Sequence, residues 1–191
     1  MKKFIPFIAI LFLGIILWAF VPSKNRTNHS SHESKKEIIA EGPIQWMSWE
    51  DAIVASNKNP KKLFVDVYTD WCGWCKKMDK TTFADPKVAA YINENFYPIK
   101  FDAEQREIVE YNGYSLKFIN QGRRGVHELA YSLLDGQLGY PSYVYLDETQ
   151  KRITVSPGYK QVPDLLKELS FIAEDHYKTT SYEQYLADAK D

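Results

Sequence analysis

Cysteine is nearly missing from this chain: there are two among 191 residues, three positions apart. A disulfide-stapled scaffold needs more of them, spread along the sequence, so that class is excluded. Two cysteines this close cannot close a long loop, and as a purely structural bridge they would add little stability. Charge of either sign in excess is missing too. Lys plus Arg number 24 against 25 Asp plus Glu, a formal net charge of −1. That excludes a nucleic-acid binder relying on bulk positive charge, and an acidic solvating chain as well. No segment repeats at a solenoid period. No serine–histidine–acid pattern with a nucleophile elbow occurs, and no glycine loop for phosphate. What is present is a globular composition, 45% hydrophobic and 26% charged, with 13 tyrosines and 10 phenylalanines to build an aromatic core. The length suffices for one domain with a proper core.

One long apolar run stands out. Met1-Lys2-Lys3 is basic, and residues 4–21 (FIPFIAILFLGIILWAFV) carry no charge. As a helix this run spans about 27 Å, close to the bilayer core. The lysines before it put the rest of the chain outside the cytoplasm. Residues 1–21 read as a signal anchor. The alternative is a cleaved signal peptide, for which the run is long and Val21 stands where a small residue is wanted. With no cysteine near residue 20, a lipoprotein anchor is excluded. Residues 22–43 are polar and Ser-rich, a flexible linker. His29 and His32 there read as solvated residues rather than metal ligands. The domain proper is 44–191.

Within it, Ser48 caps a helix from Trp49 that Asn59-Pro60 breaks. Leu63 to Tyr68 is a buried strand interrupted by one acid, Asp66. Cys72-Gly73-Trp74-Cys75 follows after a short turn and opens a helix. Asp85-Pro86 starts another, with Val88, Ala89 and Ile92 on one face. Phe96 to Phe101 is the second strand. Asn112-Gly113 between β-rich runs signals a hairpin. A loop over 121–125, with Arg123 and Arg124 in a solvated turn, precedes a helix expected over 126–134. Tyr143–Leu146 and Arg152–Ser156 are strands, Pro163 opens a helix burying Leu165, Leu166, Leu169 and Ile172, and a short amphipathic tail begins at Tyr182. The order predicts an α/β sandwich around a mixed sheet.

Chemistry concentrates at the cysteine pair. At a helix N-terminus, free backbone N–H groups and the helix dipole favour an anion, so the thiolate of Cys72 is stabilised. Cys75, one turn on, is placed to attack a mixed disulfide formed at Cys72. Two other readings of a lone C-x-x-C stand beside this one. It can be half of a zinc site, although no second pair exists and His127 and His176 are distant in sequence. It can also be incidental in a membrane-anchored binding or assembly module. His127 reads as a surface or internally satisfied histidine.

The segment Val65-Asp66-Val67-Tyr68-Thr69-Asp70-Trp71-Cys72-Gly73-Trp74-Cys75-Lys76 resembles the strand, active-site turn and helix of the thioredoxin superfamily. The likeness is closest to exported bacterial thioredoxin-like proteins with a W-C-G-W-C centre, including the soluble redox domains of disulfide-interchange systems. It covers roughly residues 44–176. The resemblance implies a thioredoxin-like fold and thiol–disulfide exchange on protein disulfides, with a thiol partner as electron donor and no bound cofactor or metal. It implies that Asp66, six residues before Cys72, moves a proton to or from Cys75, as a carboxyl in an apolar strand can. It implies that Lys100 pairs with that acid. Gly139-Tyr140-Pro141-Ser142 resembles the family's cis-proline loop, so Tyr140 and Pro141, with the flanking Trp71 and Trp74, become candidate substrate contacts. Two features depart from the family pattern. Trp74 stands where cytosolic thioredoxins carry proline, and Glu104 to Gly125 is longer than the fold requires, an added hairpin-like insertion.

Overall fold

The computed structural model describes residues 43–120 and 124–188. The anchor over 1–21, all of the linker except Pro43, and His29 and His32 lie outside the described residues, as does Arg123. Among the described residues no helix is long and apolar enough to cross a membrane.

Local chemistry sets most of the element boundaries. Ser48 is extended and its hydroxyl accepts the Asp51 N–H at 3.1 Å, so helix α1 (Trp49–Lys58) begins there, with Glu50 and Asp51 against its positive end. Strand β1 (Lys62–Tyr68) is buried from Lys62 to Val67, as a central strand covered on both faces must be. Helix α2 (Gly73–Lys80) follows it. Asp85 opens helix α3 (Pro86–Asn95) by accepting the N–H groups of Lys87 and Val88 at 2.9 and 3.3 Å, while Pro86 occupies the first turn, where no donor is needed. Strand β2 (Phe96–Asp102) returns parallel to β1, with α2 and α3 as the crossover.

Four strands make the main sheet, in the order β2-β1-β7-β8, where β7 is Ser142–Leu146 and β8 is Arg152–Pro157. β7 runs antiparallel to both β1 and β8, so the sheet is mixed. This is the thioredoxin-like α/β arrangement that the sequence implied. Alternation along β1 splits the core in two. Leu63, Val65 and Val67 join Ile99, Phe101, Val144 and Leu146 under α1 and helix α4 (Glu128–Leu133). Phe64 joins Tyr143, Tyr145, Met78 of α2, Val88 and Ile92 of α3, and Leu165, Leu169 and Ile172 of helix α5 (Val162–Ala173). Asp66 continues the Phe64 row and so belongs to the α2 side of the sheet.

The insertion carries two hairpins rather than one. Strands β3 (Val109–Tyr111) and β4 (Tyr114–Leu116) are closed by Asn112 and Gly113 at φ 52° and 78°, the left-handed pair that a tight two-residue turn requires. Strands β5 (Phe118–Ile119) and β6 (Val126–His127) form the second. The helix expected from Val126 therefore starts at Glu128. The reason is where the donors go: the His127 N–H reaches the Ala103 carbonyl at 2.7 Å and the Glu128 N–H reaches Lys117 at 2.9 Å, both outside the helix. His127 caps α4 instead, its Nδ1 accepting the Leu129 N–H at 3.1 Å. Nε2 then carries the hydrogen and donates to the Glu107 carbonyl at 2.9 Å. On α5, Leu166 is only half-buried. Phe171 is buried instead, and helix α6 (Tyr182–Asp188) lays Tyr182 and Tyr185 against it, with ring centroids 5.1 and 5.2 Å away.

Candidate active site

Strand β1 ends at Tyr68, and the chain turns tightly into α2, with the Cys72 N–H bonded to the Thr69 carbonyl at 3.1 Å. Cys72 is the N-cap residue of α2 in extended conformation, and its Sγ accepts the Cys75 N–H at 3.0 Å. One of the orphan donors of the helix end is thus aimed at sulfur. Cys72 and Cys75 are joined as a disulfide, Cα atoms 5.3 Å apart. Both are buried, whereas Trp71 before the pair and Trp74 within it are 49% and 57% exposed.

Strand β1 and helix α2, which bracket the redox turn, also carry a charged cluster with β2. Asp66 is 1% exposed and sits beside Lys100 in the β1–β2 register. Lys100 Nζ lies 2.7 Å from Asp66 Oδ2 and also binds Asp79 of α2. Asp79 follows Cys75 by four residues and so shares its helix face. Sequence reasoning missed it, although that spacing was the available signal. Burial pushes the Asp66 carboxyl up to about 6, against the pull of Lys100 and with help from the Asp79 charge. Burial also works against the charge on Lys100, yet Asp66 and Asp79 outweigh it and hold the ammonium above its usual range. Two carboxylates share one cation, so a proton retained on Asp66 leaves the cluster neutral. The rings of Trp46, Tyr68 and Phe83 surround the ammonium at 5.0, 5.1 and 5.3 Å.

Pairing of Val67 with Ser142 brings the β7 entry alongside the redox turn. The Tyr140–Pro141 peptide bond there is cis, and the Ser142 hydroxyl donates to the Gly139 carbonyl at 2.7 Å. The Tyr140 ring meets Trp71 edge-on at 5.9 Å. Trp71 is held from the insertion as well. Its Nε1 donates to Glu104 Oε1 at 2.9 Å, and the Arg124 guanidinium lies 4.6 Å over its ring. Arg124 is exposed, as expected of a turn residue, and is also a partner of the redox-flanking indole. Trp74 packs on Tyr159 at 5.5 Å, with the Lys77 ammonium 4.8 Å over its face. The structure thus joins Cys72 to Cys75, Asp66 to Lys100, and Trp71 to Tyr140 beside cis-Pro141, while Trp74 packs on Tyr159. His127 and His176 stay away from it, one inside the insertion and the other against Glu174 and Tyr185. Among the described residues no three His, Cys, Asp or Glu side chains are grouped to hold a metal ion.

Known proteins carry the same framework. The family model Thioredox_DsbH, described as "Protein of unknown function, DUF255", matches residues 26–174. The thiol:disulfide interchange protein DsbD of Colwellia psychrerythraea is 27% identical over 99 residues, covering 51% of this chain and 16% of that protein. Spermatogenesis-associated protein 20 of Homo sapiens is 28% identical over 86 residues, 44% of this chain and 11% of that protein. The chain thus spans well under a fifth of the length of these curated relatives. Among solved structures, a DsbH oxidoreductase superposes with a TM-score of 0.51 at 16% identity, covering 74% of this chain and 92% of that one. A thioredoxin-fold protein from Helicobacter pylori gives 0.52 at 19% identity, covering 69% and 80%. These two likenesses establish the fold. The family match runs from before α1, through the redox turn and all four strands of the main sheet, to the end of α5, and by it the chain belongs to the Thioredox_DsbH (DUF255) family within the thioredoxin superfamily.

Proposed function

We propose that this protein is a thiol–disulfide oxidoreductase, working as a reductase or interchange enzyme on disulfides of exported or cell-envelope proteins. The observation that carries this reading is the hydrogen bond from the Cys75 N–H to Cys72 Sγ at the start of α2. A sulfur held there is stabilised as a thiolate, both as nucleophile and as leaving group.

The geometry supports the following cycle. Cys72 thiolate attacks a substrate sulfur, the substrate S–S bond breaks, and the first substrate sulfur leaves as a thiolate. Cys75 gives its proton to Asp66 and attacks Cys72 Sγ. The Cys72–Cys75 bond forms as the mixed disulfide breaks, and the second substrate thiolate leaves and takes up a proton. Two electrons pass from the dithiol to the substrate, and a thiol donor restores the pair. No bound cofactor enters. Asp66, with its carboxyl pushed up to about 6, is ionised enough near neutral pH to accept the proton and basic enough to hold it. Lys100 keeps it in place. The backbone of Tyr140 and the indoles of Trp71 and Trp74 grip an extended substrate segment. Residues 1–21 tether the domain on the periplasmic side. The reductase direction is supported by the residues between the cysteines, Gly73 and Trp74, which bring no cation to stabilise the thiolate unusually. The interchange activity named for the DsbD relative supports the reaction class.

Redox equilibration of the protein in dithiothreitol or glutathione buffers tests this. A potential near about −270 mV supports a reductase fed by a membrane donor, while one near about −120 mV marks an oxidant and reverses the direction. A pair that never cycles, or a Cys72→Ser variant with full biological activity, replaces the enzyme with a membrane-anchored binding or assembly module.

A further inference from the structure

Lys100 holds Asp66 through Oδ2. The other oxygen, Oδ1, is buried with no hydrogen-bond partner among the described residues, and so is the hydroxyl of Tyr143. The two residues that carry them are cross-strand neighbours. Tyr143 is wholly buried and stands directly across from Asp66 in the β1–β7 ladder, on the same face of the sheet. Side chains paired in this way have Cβ atoms about 5 Å apart.

Packing does not explain the hydroxyl. The Tyr143 ring stacks on Phe64 at 5.7 Å and meets Phe83 edge-on at 5.9 Å, contacts that a phenylalanine would make equally well. A buried hydroxyl left without a partner is costly, and native interiors satisfy such groups through internal water. The two orphans are also complementary: an ionised carboxylate only accepts, and a phenol donates.

We infer that Tyr143 is a positioning residue for Asp66, its hydroxyl donating to one buried water that in turn donates to Oδ1. The carboxylate is then held from both sides, by Lys100 at Oδ2 and through Tyr143 at Oδ1. The charged groups acting on Asp66 are Lys100 from β2 and Asp79 from α2, and its own charge raises the phenols of Tyr143 on β7 and Tyr68 on its own strand. Tyr143 is influenced by Asp66, by Glu168 from α5, by Asp79 and by Tyr159, with the Lys160 ammonium 5.9 Å from its ring. Burial and these carboxylates push the phenol far above its ordinary range, so it remains a donor throughout the working pH. A donor at Oδ1 favours the ionised carboxylate. It offsets part of the burial effect and keeps Asp66 available as a base for Cys75, a consequence that rests on the redox cycle proposed above.

The test reads Asp66 directly. In the oxidised full chain, labelled with 13C at aspartate carboxyls, Tyr143→Phe is expected to move the Asp66 titration upward by about half a unit to one unit. The pH profile of disulfide exchange moves by the same amount. In an Asp66→Asn background, Tyr143→Phe leaves that profile unmoved. Wild-type protein, which needs no substitution to fold, is expected to show a nuclear Overhauser contact between a long-lived water and the Tyr143 hydroxyl. An unchanged Asp66 titration in a Phe variant that melts higher than wild type overturns the inference, as does a wild-type hydroxyl with no water contact. Failure of the cysteine pair to cycle is a separate result, because the Asp66 titration is measured without turnover.

Discussion

Asp66→Asn is expected to stabilise the oxidised protein at pH 7 and to leave it unchanged at pH 4. Two effects oppose each other at this position. Removing a buried charge is favourable, and losing the Lys100 partner is not. The carboxyl decides between them. Its value rises from 3.8 to about 6 with Lys100 already in place, so burial outweighs the ion pair. A raised folded value means that the folded state binds the proton more tightly than the unfolded chain. The resulting stability is fully present below about pH 4 and is lost as pH climbs towards 6. A shift of about 2 units corresponds to about 3 kcal/mol, and since Lys100 keeps Asp79 but loses its buried partner, a net gain of about 1–3 kcal/mol is expected for Asn at pH 7. Urea unfolding of both proteins from pH 4 to 8 measures it. All other titrating groups are common to the two, so the difference curve isolates this site. An Asn variant weaker than wild type at pH 7, or a difference that stays flat between pH 4 and 6, would refute the reasoning.

Other perturbations separate the chemistry from its scaffold. Cys75→Ser should leave Cys72 able to attack but unable to be released, so intact mass spectrometry after reaction with a disulfide substrate should show an adduct at Cys72 that persists until a thiol is added. Gly125→Ala should cost about 1–3 kcal/mol in urea unfolding, because the new Cβ would overlap the Phe118 ring and lie 2.6 Å from the Ile119 carbonyl oxygen. Its Trp71 fluorescence should shift with it as the insertion moves. Arg124→Ala should change stability by under about 0.5 kcal/mol, since its side chain is 60% exposed. It should alter rates with protein substrates more than with a small disulfide such as oxidised glutathione, and an equal effect on both would show that Arg124 does not act through substrate contact.

Much of the fold was legible because local signals and burial agreed. Ser48, Asp85 and Pro86 marked helix starts that the backbone obeys, and the run from Leu63 to Tyr68 could only be a strand covered on both faces. Local pattern placed Lys100 in a strand, but its place beside Asp66 came only from the family resemblance, since strand register is a tertiary fact. Val126 and His127 were misread for the same reason: their partners, Phe118 and Ile119, are chosen across a loop, and nothing in the local pattern distinguishes a two-residue strand from a first helical turn. His127 also caps a helix in a role that Ser, Thr, Asp or Asn usually takes. Glu168 is nearly buried on the apolar face of α5 because Tyr145 and Ser156 donate to it and Lys160 pairs with it, partners from the sheet and the loop beyond that the helix alone does not reveal. Tyr143 looked like one more core aromatic until its neighbour across the ladder was known.

His127 bears on how the molecule opens. Its backbone and ring bind Ala103 after β2, Glu107 before β3 and Leu129 in α4, and its strand pairs with Phe118. One residue along, Glu128 exchanges two hydrogen bonds with Lys117. The two hairpins and the first turn of α4 are therefore fastened at one point, and their amides should exchange with deuterium as one cooperative unit instead of fraying one by one. Glu104, which steadies Trp71 beside the cysteines, lies next to Ala103 in that same unit. The rim of the redox face is therefore expected to loosen together with the start of α4, which the same exchange experiment reads.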